Sequence, residues 1–229
     1  MRISIILPIL NEEKFMDIAL TSLQEQTMLY DELIIVDNES TDTSVAVARG
    51  YTNKIFSAPK GKLNALQTGV AMALGDIIFT VDADCWFPPD YIERMMNHFI
   101  NNSNVVLVLA SVYHDGFTPN NNFLEGIKVS FLYYLLKYGP GPARAFRREA
   151  FMQAGGLNLN VNQFNLITNM FEEEVGLHQR LAQLGKVIRD TSIIVHHANR
   201  RMVCDVCQNT KSENAICEYC SEIQRRERF

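Results

Sequence analysis

Residues 77–81, Ile-Ile-Phe-Thr-Val, form an unbroken apolar run that stops at Asp82-Ala83-Asp84. A run without polar alternation reads as a strand buried on both faces. The chain repeats the pattern: Ile3 to Leu7 is closed by Pro8 and Asn11, and Leu33 to Val36 ends in Asp37. A short strand is expected around Ile55. Between the runs, apolar residues fall at helical spacing: Phe15, Ile18, Ala19 and Leu23, then Val45, Val47 and Ala48, then Leu63, Leu66, Val70 and Leu74. Strand and helix thus alternate, which implies a parallel sheet with helices on both faces. Open sheets of this kind bind ligands at the carboxyl ends of their strands. Asp37, Asp82 and Asp84 are expected there, and paired carboxylates suit a hard divalent cation.

The second half is less regular. Val105 to Ala110 reads as a strand, Thr118 to Asn122 as a loop and Phe123 to Tyr138 as an aromatic-rich helix. Gly139-Pro140-Gly141-Pro142 is a break. Phe171 to Leu184 reads as a helix stopped by Gly185, and Ile193 to Val195 as a last strand running into His196-His197.

At 229 residues the chain is long enough for a sizeable core. Its net charge of −5 argues against nucleic acid as a partner. The longest apolar stretch, Val129 to Leu136, is far short of the roughly 20 residues of a membrane span. The amino terminus reads as a first strand rather than a leader peptide. A cytoplasmic location is therefore expected. The aromatic helix around Phe131 to Leu136 leaves peripheral contact with a membrane or a lipid-linked acceptor open beside ordinary core packing.

A series of motifs, in order, resembles family 2 glycosyltransferases of the GT-A fold. Pro8-Ile9-Leu10-Asn11-Glu12 resembles the family's opening Pro-x-x-Asn-Glu. Val36-Asp37-Asn38-Glu39-Ser40-Thr41-Asp42 resembles its second-strand signature, Gly61-Lys62-Leu63-Asn64-Ala65 its Gly-Lys-x-x-Ala segment, and Asp82-Ala83-Asp84 its Asp-x-Asp. Phe146-Arg147-Arg148 with Gly155-Gly156 resembles the stretch before its acceptor loop. Glu173-Glu174 through Arg180-Leu181 resembles its later Glu-Asp-x-x-Leu-x-x-Arg-Leu, with Glu174 where the family usually has Asp.

The resemblance implies a Rossmann-like, mostly parallel sheet flanked by helices over residues 1–200. Residues 1–100 would be the nucleotide-binding half and 101–200 the acceptor-binding half. It implies metal-dependent, inverting transfer of a sugar from a nucleotide diphosphate sugar to a glycan, protein or lipid-linked acceptor. UDP is the default nucleotide by family frequency. Asp84 is implied as a ligand of Mn²⁺ or Mg²⁺, Asp82 as a contact to ribose or metal, and His196 or His197 as a further ligand. An imidazole would favour Mn²⁺. Glu174 is the implied general base, with Glu173 on acceptor or donor hydroxyls. Asp37, Asn11 and Glu12 line the nucleoside pocket. Lys62 and Arg180 are candidates for the diphosphate, and Arg144 and Arg147 flank the acceptor loop.

Each of these residues also has a plain structural reading. Asp37, Asp82 and Asp84 can cap helices. Glu172 to Glu174 suit a helix amino terminus, Lys62 can be a solvated helix-start lysine, and the two histidines can be a surface pair.

Four of the five cysteines lie in the last 26 residues, as Cys204-x-x-Cys207 and Cys217-x-x-Cys220. Two such pairs in one short stretch are a signature of a structural zinc site made of four thiolates. They make residues 201–229 a small zinc-binding appendage, with two disulfides as the rival reading. Cys85 stands apart and is expected to pack near Asp82. Other classes of function compete with the transferase. A nucleotidyltransferase needs a glycine-rich basic loop after its first strand, and Pro8 to Glu13 is glycine-free and acidic. A non-catalytic sugar-nucleotide-binding module is disfavoured by Asp82, Asp84 and Glu174. A dehydrogenase is excluded by the missing Gly-x-Gly-x-x-Gly.

Overall fold

The computed structural model describes residues 1–114, 143–157 and 176–197. The expected helix over 123–138, the break at 139–142, Glu172 to Glu174 and the cysteine tail lie outside the described residues.

The strands are β1 (Ile3–Ile9), β2 (Glu32–Asp37), β3 (Ile55–Ser57), β4 (Ile77–Val81), β5 (Cys85–Trp86), β6 (Val105–His114), β7 (Ala143–Arg147) and β8 (Lys186–His197). The helices are α1 (Met16–Gln24), α2 (Ser44–Ala48), α3 (Lys62–Met72), α4 (Tyr91–Asn101), α5 (Arg148–Gln153) and α6, residues 176–184. The strands form one sheet in the order β3-β2-β1-β4-β7-β6-β8-β5.

The first four strands are mutually parallel, as the apolar runs imply. The second half departs from the mostly parallel expectation. β7 lies antiparallel between β4 and β6, β8 returns parallel to β6, and β5 closes the edge antiparallel to β8. The sheet is therefore mixed.

Both faces are covered. Ile5, Leu7, Ile35, Phe79 and Val108 point to a core shared with α1 and α4. Their neighbours Ile6, Ile34, Val36, Ile78 and Leu109 point to a second core shared with α3, α5 and α6. The period-2 alternation of a strand thus feeds two apolar layers, which is why the runs contain no polar positions. In α1, Met16, Ala19, Leu20 and Leu23 make the buried stripe, while Ile18, expected on it, is 44% exposed. α3 ends at Met72, so Leu74, counted on its face, falls beyond the helix and is exposed.

Two polar devices fix the geometry. At the amino ends of the strands, Glu32 has a buried side chain, only 1% exposed, and pairs with Lys54. It also accepts from Ser4 Oγ at 2.5 Å and from the Leu74 amide at 2.6 Å. Ser4 Oγ in turn accepts from the Gly75 amide at 2.8 Å. A Cβ on Gly75 would stand 2.5 Å from Ser4 Oγ, so the turn needs glycine there. The second device lies in β8, where the register with β6 jumps from Ala110–Asp190 to Ser111–Ile194. Asp190 closes this bulge by accepting from the Ser192 amide at 2.9 Å and by meeting His98 Nε2 at 2.8 Å. Burial raises its carboxyl, but Ser192 and His98 outweigh that and bring it to about 2.

Burial likewise raises the Glu32 carboxyl, and Lys54, Ser4 and the Leu74 amide more than reverse this, so it lies below the ordinary value. A depressed carboxylate stabilises the fold above its unfolded pKa, and that contribution is lost as pH falls through the folded value. Glu32→Gln is therefore expected to cost about 1.5–3 kcal/mol at neutral pH. In urea unfolding the gap between parent and variant should narrow as the pH drops below about 4. A gap that stays constant down to acid pH would refute this account.

Candidate active site

The carboxyl ends of β1, β2 and β4 lie side by side, with Ile9 in register with Asp37. β1 is flanked by β2 on one side and β4 on the other, so the chain reverses its direction of growth here. Ligands bind at such a switch point in open α/β sheets.

The loops after β1 and β2 are tied together. Asn11, at φ 56°, accepts from the Thr41 amide through Oδ1 at 2.8 Å, and its own amide donates to Ser40 Oγ at 3.0 Å. The Glu12 amide donates to Ser44 Oγ at 2.7 Å, and Glu12 is buried. Asp37 Oδ1 accepts from the Ser40 amide at 3.1 Å, a bond to the loop ahead of α2 rather than to a helix amino terminus, so Asp37 stays at the crevice and does not cap a helix. Asn38, which is not among the candidate residues of the sequence, is buried and donates to the Pro59 carbonyl at 3.2 Å. It joins this loop to the one that carries Gly61 and Lys62. Its only sequence signal is its place directly after Asp37.

Gly61 takes φ 128°, a conformation that favours glycine, and starts α3. The next residue, Lys62, reaches Asp82, with Nζ 2.8 Å from Oδ1 and 2.9 Å from Oδ2. Lys62 is thus not a solvated helix-start lysine. Behind it, Arg144 of β7 sits opposite Thr80 of β4 and is 2% exposed. Its Nε donates to Thr80 Oγ1 at 2.9 Å, and Nη1 lies 3.3 Å from Nε2 of the buried His178 on α6. Burial pushes the Asp82 carboxyl up, but Lys62, then His197 and Arg144, pull it further down, so it stays ionised well below the usual range.

The other half of the site comes from β5 and β8. Their pairing sets Cys85 opposite His197 and Trp86 opposite His196. His197 Nε2 lies 3.4 Å from Asp84 Oδ1, whose side chain is 9% exposed. His196 packs edge-on against Trp86 at 5.5 Å between rings. Of the two candidate histidines, the described geometry brings His197 to the carboxylate.

Ligand atoms of Asp84, Cys85 and His197 all lie within 4.8 Å of one another. The carboxylate and imidazole fit a divalent cation, with Mn²⁺ better matched than Mg²⁺. Cys85 is buried, as expected, and burial together with Asp82 and Asp84 pushes its thiol up.

β5 is held from below by α1. The Phe87 amide donates to Ser22 Oγ at 3.2 Å. The buried Gln26 bonds the Pro88 carbonyl at 2.8 Å and the Ile92 amide at 2.9 Å.

One arginine sits elsewhere than its motif suggested. Arg147 lies at the opposite end of β7 from the crevice. It donates to Val105 O at 2.7 Å and Phe99 O at 3.1 Å and stacks over the Phe99 ring at 5.4 Å. It is a packing residue rather than a flank of the acceptor loop. Arg180 donates to the carbonyls of Ala154 at 2.9 Å and Gly156 at 2.7 Å, bracing the Gly155-Gly156 turn. Among the described residues no helix is long and apolar enough to cross a membrane.

The site thus gathers carboxylates, a lysine and an imidazole at the switch point of an α/β sheet, where such sheets bind ligands. The family "Glycosyl transferase family 2" matches residues 4–155, and the chain belongs to it. A putative glycosyltransferase, EpsH of Bacillus subtilis, is 31% identical over 111 residues, covering 46% of this chain and 32% of that protein. An uncharacterized glycosyltransferase of Haemophilus influenzae is 26% identical over 189 residues, covering 75% and 62%. The chain thus spans from about a third to under two thirds of these relatives' lengths.

Among solved structures, S. aureus TarS 1-349 in complex with UDP-GlcNAc superposes with a TM-score of 0.67 at 15% identity, over 89% of this chain and 60% of that one. Glucosyl-3-phosphoglycerate synthase of Mycobacterium tuberculosis, in complex with Mn²⁺, UDP-glucose and phosphoglyceric acid, superposes with a TM-score of 0.63 at 22% identity, over 87% and 72%. These likenesses establish the GT-A-like fold.

Replacing Lys62 by Met removes the leading stabiliser of the Asp82 anion, so the Asp82 carboxyl should titrate at higher pH. Carbon-13 NMR of the metal-free protein is the check. An unchanged titration would show that Arg144 and His197 suffice without Lys62.

Proposed function

We propose that the protein is a metal-dependent, inverting glycosyltransferase that moves a sugar from a nucleotide diphosphate sugar, by default a UDP-sugar, to an acceptor hydroxyl. The observation that carries this reading is the meeting of Asp84 with His197 beside the Lys62–Asp82 pair at the switch point. The Mn²⁺ and UDP-glucose of the mycobacterial synthase and the UDP-GlcNAc of TarS support the choice of ligands.

Asp84 and His197 would hold the cation, with Asp82 close by. When bound, such an ion neutralises charge gathering on the departing diphosphate. The residues of the chain do the rest. Lys62 adds a fixed positive charge from the start of α3. Asp37, Asn11 and Glu12 line the nucleoside pocket, and Asp82, kept ionised, accepts a donor hydroxyl. Arg180, braced on the turn at 154–156, meets donor phosphate or a neighbouring carboxylate.

Glu174 takes the acceptor proton as general base in a single displacement, and Glu173 binds a hydroxyl of acceptor or donor. The logic matches inverting hydrolysis with an acceptor hydroxyl in place of water. A lipid-linked acceptor is supported by one relative, an undecaprenyl-phosphate 4-deoxy-4-formamido-L-arabinose transferase of Yersinia enterocolitica, 27% identical over 107 residues. The tail cysteines Cys204, Cys207, Cys217 and Cys220 hold a structural Zn²⁺. Release of one zinc per chain on denaturation is expected, and finding two disulfides instead would refute the zinc.

Thermal unfolding with UDP-, GDP- and dTDP-sugars, each with and without Mn²⁺, tests the main reading. A single donor should stabilise the fold, and only with metal; at one hundred times its dissociation constant the gain is about 2.7 kcal/mol. Asp84→Ala should abolish both that shift and transfer. Glu174→Gln should keep the shift and lose transfer by about a hundredfold or more. Full activity of either variant would overturn the assignment.

A further inference from the structure

Cys85 is the one donor at the cation site that the transferase reading does not use. It lies directly after Asp84 and in register with His197. Directly opposed residues of an antiparallel pair share one face of the sheet. The pairing therefore sets the thiol and the imidazole on the same side, and the Asp84 carboxylate reaches the same imidazole at 3.4 Å. The three ligand atoms all lie within 4.8 Å of one another. Two ligands of a single zinc ion, each at about 2.0–2.3 Å from it, stand at most about 4.6 Å apart. The three atoms thus surround a volume the size of one ion with little adjustment.

We propose that Cys85 is a third ligand that makes this position a site for a thiophilic divalent cation of the zinc, cobalt and cadmium class. Such an ion competes there with manganese or magnesium. The inference rests on the transferase reading only for the roles of Asp84 and His197. A carboxylate oxygen, an imidazole nitrogen and a thiolate sulfur are the donor chemistry that such ions prefer. Mg²⁺ and Mn²⁺ favour the carboxylate together with phosphate oxygens, Mn²⁺ tolerating the imidazole better than Mg²⁺ does, and both leave sulfur aside. When the softer ion binds, a metal–sulfur bond forms, the S–H bond breaks and the proton leaves to solvent; no electron is transferred. The metal then has a fourth position open in a tetrahedral site. The consequence is that zinc displaces manganese from the transferase through a bond manganese does not make.

Cobalt titration of the full-length chain is the test, because a cobalt–thiolate bond has its own charge-transfer absorption. The tail cysteines contribute a signal of their own, so the readout is the part that depends on Cys85. Cys85→Ser should lose one thiolate's share of the absorption. His197→Gln should lose the same share with Cys85 still present, which guards against a packing defect from changing a buried residue. Tail absorption should persist in both. Spectra of both variants that superimpose on the parent, while Mn²⁺ still binds by electron paramagnetic resonance in the presence of UDP, would overturn this inference and leave the transferase reading intact. A Cys85-dependent cobalt band with no Mn²⁺ binding would support the soft site and sink the transferase reading instead.

Discussion

Two residues of strand, Cys85 and Trp86, hold the end of β8 against the loop that follows β4, and through them His197 meets the Asp84 carboxylate. So short a ladder is weak by itself, and it closes a long stretch of chain. It holds because its neighbours are fixed independently. Ser22 of α1 and Gln26, just beyond its end, take up the backbone groups of residues 87, 88 and 92. Cys85 and Phe87 are buried in the core beneath, and Trp86 presents its ring to His196. The contact between Asp84 and His197 would not survive a slip of this register. A shift of one residue would put His196 opposite Cys85 and turn the His197 imidazole to the other face.

The charges around Asp82 follow the same logic of prior placement. A carboxylate at a buried strand end would ordinarily be pushed towards its neutral form. Lys62 reverses that because Gly61 lets α3 begin where its first side chain can reach the β4 terminus. Arg144 adds a second cation from the strand alongside, itself kept in place by Thr80 and His178. The anion is therefore stabilised by groups that were ordered when the sheet formed, and no further reorganisation is needed to keep it charged. Fixed dipoles and charges of this kind are the usual basis of electrostatic catalysis.

The legible part of the sequence was the part where burial on both faces leaves an unbroken apolar run. β1, β2 and β4, and the crevice at their carboxyl ends, could be read directly. β7 could not, because Arg144 and Arg147 interrupt it. Arg144 is buried with Thr80 and His178 among its partners, and Arg147 is half-buried against two carbonyls and the Phe99 ring. The first half of β8, Lys-Val-Ile-Arg-Asp, is polar because much of it is exposed, so only its apolar end around Ile193 to Val195 was recognised. α4 has its own local signal, with Ile92, Met95, Met96 and Phe99 at helical spacing. β5 is too short to leave any pattern. What brings His197 to Asp84 is therefore tertiary pairing, which no local signal encodes.

The two edges of the sheet use polar groups in opposite ways. At the amino ends, Glu32 is closed in by Lys54, Ser4 and the Leu74 amide, and Ser4 by Gly75. That network spends its hydrogen-bonding capacity within the chain, and what it yields is stability. At the carboxyl ends, Asp82 meets Lys62 and Asp84 meets His197, with side chains 22% and 9% exposed. A carboxylate offers about four acceptor positions, and one lysine does not fill those of Asp82. The strands run rigidly from one edge to the other through two packed layers. The closed network thus holds the frame, and Asp82 can face a ligand without the fold depending on its arrival.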